Sequence, residues 1–366
     1  MGRNIVFLEA MVFSVLLIMP LIVMADDNVP APADLAKVET WFSQNVQPSA
    51  SRKGLDAALA KAETGRAKII NVNGAGGGDF KTLTDAVKSI PDGNTNRVVI
   101  KIAPGKYNER VKIPTTKPFV TLYGDPKDRP SFLGSGTAAQ FGTLDSATVI
   151  IESDYFMAVN IVFVNTAPRP AMGQKGGQAE ALRISGDKAA FYSCRFIGFQ
   201  DTICDDKGLH FFKDCYIEGT VDFIFGNGKS IYLNVETHVI PGDPVAFITA
   251  QARHNANEDT GYSFIHGKVT GTGKTAFLGR TWMPYGIVVF SYTDMSDVVH
   301  PEGWSDNKMP ESDKTVLFGE FNCKGAGSNL AGRISYTKKL TEAEAKPYLS
   351  LGYIKASTWL LPPPKL

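Results

Sequence analysis

The sequence predicts an all-β chain wound into a right-handed parallel β-helix with short flanking helices. Two observations carry this. First, a short aromatic and β-branched strand followed by a small or polar corner residue recurs through the middle of the chain. It stands at Tyr155-Phe156-Met157-Ala158-Val159-Asn160-Ile161-Val162-Phe163, again at residues 189–196 and 210–217, and more faintly at 230–235 and 262–269. Second, the units recur at roughly twenty to thirty-odd residues with little helical patterning, the mark of a solenoid. Stacked coils lie about 4.8 Å apart, so successive rungs need similar side chains rather than identical ones. A β-sandwich would show turn signals every 8–12 residues with alternating polarity, and the corner recurrence fits that less well.

Taken in order, the chain opens with a secretory signal over residues 1–25. Arg3 supplies the positive start, residues 11–23 are apolar apart from Ser14 and Pro20, and Ala25 precedes Asp26-Asp27. The run is short for a membrane span of about 20 residues and carries a proline. Residues 26–66 read as a helical lead-in, with apolar residues at helical spacing around Trp41 and Phe42 and again around Leu55 and Leu59. That is too short for a separate bundle domain. The β-helix is expected over 67–361. Its first strand falls at 69–72, a glycine-rich turn at 73–79, a helix at 82–90 stopped by Pro91, and strands at 97–103, 119–123 and 148–152. A helix is expected at 341–351. The tail, 362–366, begins Pro362-Pro363-Pro364, which neither a helix nor a central strand accepts.

Composition narrows the function. With 366 residues, 43% of them hydrophobic, and a net charge of +1, the chain is globular and gives no support for nucleic-acid binding. No second long apolar stretch exists, so the mature protein is expected free of the membrane. There is no Asn-x-Ser/Thr sequon. The four cysteines show no zinc spacing. Cys194 and Cys215 occupy matching positions of adjacent repeats, 21 residues apart, and are expected to form a disulfide. Cys204 and Cys323 stay unassigned.

Two aspartates stand out. Asp201 lies in Gly198-Phe199-Gln200-Asp201-Thr202 and Asp222 in Gly219-Thr220-Val221-Asp222-Phe223-Ile224-Phe225-Gly226, 21 residues apart. That spacing puts them on successive rungs of one face. Two carboxylates so close split their pKa values, one ionised and nucleophilic, the other held as an acid. Taken alone, each Asp could equally cap a turn. Gln178 and Gln200 are amide donors able to hold an oxyanion. Gln200 neighbours Asp201, so strand alternation would turn it away unless a bulge or corner re-aims it. Arg280 can pair with a carboxylate, and Trp282 offers a flat face to a sugar ring. No Gly-x-Ser-x-Gly elbow or phosphate loop competes.

These segments, with Gly105-Lys106-Tyr107-Asn108-Glu109, Gln178-Ala179-Glu180-Ala181-Leu182-Arg183 and Leu278-Gly279-Arg280-Thr281-Trp282, resemble the plant pectin methylesterase (pectinesterase) family over about residues 68–361. Asn165-Thr166-Ala167-Pro168-Arg169-Pro170 resembles its pollen-type members. The resemblance implies a β-helical carboxylic ester hydrolase acting on methylesterified homogalacturonan in the cell wall, monomeric and without metal or cofactor, with a proteinaceous inhibitor as a further partner. It implies Asp222 as nucleophile, Asp201 as acid and base, and Gln178 and Gln200 as oxyanion donors. Arg280, Trp282, Thr143 and Phe225 would bind substrate alongside Gln178.

Three departures from the family pattern stand out: Glu180 where Val is usual, Thr281 where Pro is usual, and Cys204-Asp205-Asp206 after the Gln-Asp-Thr segment. Glu180 would add negative charge if it faces the groove, and Thr281 would loosen its turn. The family's inhibitor-like N-terminal domain has no counterpart in residues 26–66. A lyase on the same fold would want a calcium-binding acidic cluster, and a polygalacturonase a Gly-His-Gly segment absent here. A non-catalytic wall protein would not need the full set of acid, nucleophile and oxyanion groups.

Overall fold

Through the body of the solenoid each coil contributes one short strand to each of three sheets, so a strand pairs with its equivalent in the next coil rather than with its neighbour in sequence; the exceptions are at the two ends of the large sheet, where Lys68–Val72 pairs Val98–Ile102 and Leu317–Phe321 pairs Lys338–Lys339. The computed structural model describes residues 27–366, and the expected signal peptide lies outside them. One sheet has eleven strands, running from Lys68–Val72 to Lys338–Lys339, and two have eight. The registered strand pairs are parallel, for example Leu182 opposite Ile203 and Phe212 opposite Tyr232. This is a parallel β-helix rather than a sandwich of antiparallel hairpins.

The recurrent aromatic residue of each repeat points inward and stacks on its equivalent in the next coil. Phe191, Phe212, Tyr232, Phe264 and Phe290 form a continuous interior column with ring centroids 4.4–4.7 Å apart and planes within about 10° of parallel. The rung spacing of a parallel sheet is close to the separation aromatic faces prefer when offset, so one geometry serves both. The corner residue of each repeat leaves the large sheet in the left-handed region. Asn160, Ser193, Asp214, Asn234, His266, Tyr292 and Asn322 all have φ between +48° and +58°. A single left-handed residue turns the chain sharply, and Asn and Asp tolerate that conformation best among non-glycine residues.

The lead-in is helical at Val38–Asn45 and Ala57–Ala62. It lies against the outer face of the large sheet, where Trp41 and Phe42 join Tyr192, Phe211 and Ile231 in a second apolar cluster. The C-terminal helix Glu342–Leu349, capped by Thr341, and residues up to Leu361 cover the same face. The helix expected at 82–90 occupies Leu83–Lys88, capped by Thr82.

Coil length varies along the axis. In the sheet that carries the site, Val149 pairs with Leu182, Leu182 with Ile203, Ile203 with Ile224, Ile224 with Thr249, and Thr249 with Gly279. The two central coils are therefore 21 residues long, the coil before them 33, and the two after them 25 and 30. Extra residues leave as loops that stand above the sheet on either side of the short coils.

One expectation fails. Cys194 and Cys215 stack on adjacent coils as foreseen, but both are free thiols, as are Cys204 and Cys323. Each of the first two sulfurs points to a backbone carbonyl, Cys194 to Ala158 and Cys215 to Phe191, at 3.6 Å. In-register parallel rungs hold equivalent Cβ atoms about one strand spacing apart with parallel vectors. A disulfide wants Cβ atoms about 3.8 Å apart and converging.

Candidate active site

Asp201 and Asp222 sit at equivalent positions of the two short coils, each immediately before a strand of one sheet, Ile203–Asp205 and Ile224–Gly226. Both adopt left-handed backbone, with φ of +63° and +51°. That corner answers the alternation problem at Gln200, because the chain turns between it and the strand. Each residue is buried, 6% exposed.

Arg280, at the end of the strand Ala276–Arg280, grips Asp222 with two parallel bonds, Nε to Oδ1 at 2.6 Å and Nη2 to Oδ2. Its remaining Nη1 donates to Asn307 Oδ1 at 2.9 Å. The planar guanidinium matches a carboxylate in this way and fixes its orientation. Asn307 was not foreseen, and nothing in its surrounding sequence signals the contact.

The two carboxyls are electrostatically unequal. Burial raises Asp222 from the ordinary carboxylate range, and Arg280 pulls it back. Burial raises Asp201 much further, the negative charge of Asp222 adds to the rise, and Arg280 and the amide of Gln200 offset only part of it. Asp201 is therefore the harder of the two to ionise. Asp201 Oδ1 and Gln178 Oε1 are buried without a hydrogen-bond partner among the described residues.

A cleft of about 370 Å³ opens here, lined by Gln178, Gln200 and Arg280. Its walls come from the longer neighbouring coils: Pro170, Met172 and Lys175 on one side, Asp243 and Val245 on the other. Thr143, Phe225 and Trp282 do not line it. Trp282 is 38% exposed and packs over the buried Phe225 ring, centroids 5.6 Å apart, on the outer face of the same sheet. Thr143 is half-buried, and its carbonyl accepts from the Ser146 hydroxyl at 2.8 Å.

The departures take definite places. Glu180 does not face the cleft but is fully buried. Thr281 does not loosen its turn, since its amide donates to Ser305 O at 2.9 Å, a bond that a proline could not make. Cys204 is buried in the sheet's outer face beside Phe225 and Ala250, Asp205 points inward to His210 and Tyr232, and Asp206 pairs with Arg183 at 2.9 Å.

A family model described as Pectinesterase matches residues 69–357. The chain belongs to the pectinesterase family. Pectinesterase 2 of Olea europaea is 56% identical over 357 residues, 97% of each chain. Among solved structures, a pectin methylesterase from carrot superposes with a TM-score of 0.72 at 30% identity, covering 83% of this chain and 98% of that one. A pectin methylesterase in complex with hexasaccharide VII gives a TM-score of 0.67 at 27% identity, over 82% of this chain and 99% of its own. As a pectinesterase-family enzyme, the chain carries its paired carboxylates at the point where two short coils lie between longer ones.

Proposed function

We propose that this chain removes methyl esters from homogalacturonan outside the cell, in the wall, acting as a monomer with Asp222 as nucleophile and Asp201 as acid and base. The observation that supports this best is the asymmetric pair: Asp222 clamped by Arg280, with Asp201 beside it held as the acid. Asp222 attacks the ester carbonyl, and the amides of Gln178 and Gln200 donate to the oxyanion. As the intermediate collapses, the bond to methoxide breaks and Asp201 gives up its proton, so methanol leaves. The acyl group is then bonded to Asp222. Asp201, now a carboxylate, takes a proton from water, whose oxygen attacks the acyl carbon and frees the acid product. Both aspartates return to their starting states. Trp282 and Thr143 would contact sugar units beyond the reacting one.

The test is methanol release and pectin binding by purified, folded variants. Asp222→Asn keeps the shape but not the nucleophile, and turnover is expected to fall to background while binding persists. Asp201→Asn is expected to do likewise, because methoxide would leave unassisted. A variant Asp222→Asn retaining more than about a tenth of wild-type turnover, a barrier change of only ~1.4 kcal/mol, would overturn the assignment.

A further inference from the structure

The carboxylate column has a third member. Leu182 lies opposite Ile203 as Ile203 lies opposite Ile224. Continuing both registers back by two residues sets Glu180 opposite Asp201 just as Asp201 is set opposite Asp222. Three successive rungs thus carry Glu180, Asp201 and Asp222 at one position, about 4.8 Å apart along the stack. Glu180 is fully buried, and neither of its carboxyl oxygens has a partner among the described residues. Its backbone is held rigidly, the amide donating to Ser146 Oγ at 3.1 Å and the carbonyl accepting from Asn165 Nδ2 at 2.9 Å.

The charged and titratable groups that face Glu180 are Asp201, Arg183, Asp206, Asp145 and Cys204. Arg183 is the one cation among them. It is engaged elsewhere, with Asp206 at 2.9 Å and Asp145 at 3.6 Å. An ionised Glu180 would be a buried, unpaired charge with acids on several sides, which is costly. Burial and then the charge of Asp201 accordingly push Glu180 far above the ordinary carboxylate range. Burial, the missing partners and the surrounding acids all favour its protonated form, which can donate a hydrogen bond.

Asp201 needs such a donor at one stage. Once it has protonated the departing methoxide it is a buried carboxylate, and Gln200 is the hydrogen-bonding group at hand. Its Oδ1 has no partner among the described residues. We propose that Glu180 is a positioning residue for the second half of the reaction, donating its carboxyl proton in a hydrogen bond to Asp201 when Asp201 becomes the carboxylate that activates water. No covalent bond changes and the proton stays on Glu180. The contact tightens as charge develops, as catalytic hydrogen bonds commonly do. This inference rests on Asp201 being the acid–base residue.

The experiment compares the full chain with Glu180→Val, Glu180→Gln and Asp201→Asn, following methanol release from methylated pectin across pH. A donor to ionised Asp201 lowers the pH at which it becomes a base, so its loss moves the acidic limb of kcat upward. Glu180→Val is expected to lose roughly tenfold in kcat with KM unchanged, and to shift that limb by about half a pH unit or more. Glu180→Gln, whose amide can donate, is expected to restore kcat to within about threefold and return the limb. Glu180→Met, which has no donor and nearly the same length, repeats the Val test should Val leave a void. Wild-type kcat and limb in Glu180→Val, or a Gln variant as impaired as Val, would overturn the inference. If Asp201→Asn is inactive while the Val variant is normal, the Glu180 role alone fails. If Asp201→Asn keeps its turnover, the acid–base assignment fails first.

Discussion

At the scale of single residues, the site concentrates groups that the fold alone would avoid. Glu180, Asp201 and Asp222 all have carboxyl groups raised by burial above the ordinary range. Such a group contributes its full stability below the unfolded carboxylate pKa near 4. It loses that contribution as pH climbs toward its folded value, because the unfolded chain sheds the proton more easily. Glu180→Val removes one of these groups and fills its place with apolar volume. Its gain in thermal stability is expected to be larger at pH 8 than at pH 4, by about 1–3 kcal/mol. Calorimetry at the two pH values checks this, and equal gains would contradict it. The variant would be more stable and less active together, the usual cost of a functional site.

At the scale of elements, the interior aromatic column holds consecutive coils in register. Phe212 is fully buried, with Phe191 stacked on one face at 4.7 Å and Tyr232 on the other at 4.6 Å. Phe212→Ala is expected to cost about 3–5 kcal/mol, read from the midpoint of urea unfolding; less than about 1 kcal/mol would mean the column is not continuous. The column was legible in the sequence because its residues recur with the coil. So were the polar corners, since a left-handed residue must be one that tolerates positive φ. The spacing of Asp201 and Asp222 likewise announced stacked carboxylates. The same spacing points back to Glu180, a signal missed because that residue was read as a departure from a family pattern. Asn307 was not legible, since it reaches Arg280 across a loop whose length follows no period. The failed disulfide shows the limit of spacing arguments: period fixes which Cα atoms are neighbours, not which way the Cβ bonds point.

At the scale of the whole molecule, both chain ends serve as a cover. The N-terminal segment and the residues after Thr341 bury the outer face of the eleven-stranded sheet, with the ring of Phe42 stacked 5.7 Å from that of Phe211 and the Tyr192 hydroxyl donating to Leu361 O at 2.6 Å. A chain beginning at residue 67 would bare an apolar strip of Tyr192, Phe211 and Ile231, a surface of the kind that drives aggregation. Such a truncation is expected to elute as aggregates in size-exclusion chromatography, whereas a soluble monomer with wild-type melting would contradict the covering role. Inside the helix, His210 Nδ1 meets Asp205 at 2.5 Å with both side chains fully buried. Burial lowers the imidazole and Asp205 more than offsets it, leaving His210 raised. Its stabilising share is therefore complete below the ordinary histidine pKa and fades as pH rises through the folded value.

The unequal coil lengths have an evolutionary consequence. Two 21-residue coils lie between one of 33 and others of 25 and 30. The surplus residues project from the rungs without altering which rung pairs with which. Insertions and deletions in those projections would redraw the channel that a polysaccharide meets, while the three stacked acids kept their places. Lineages could thus diversify in the polymer patterns they accept without rebuilding the chemistry, because substrate choice and bond breaking are encoded in separately variable stretches of one chain.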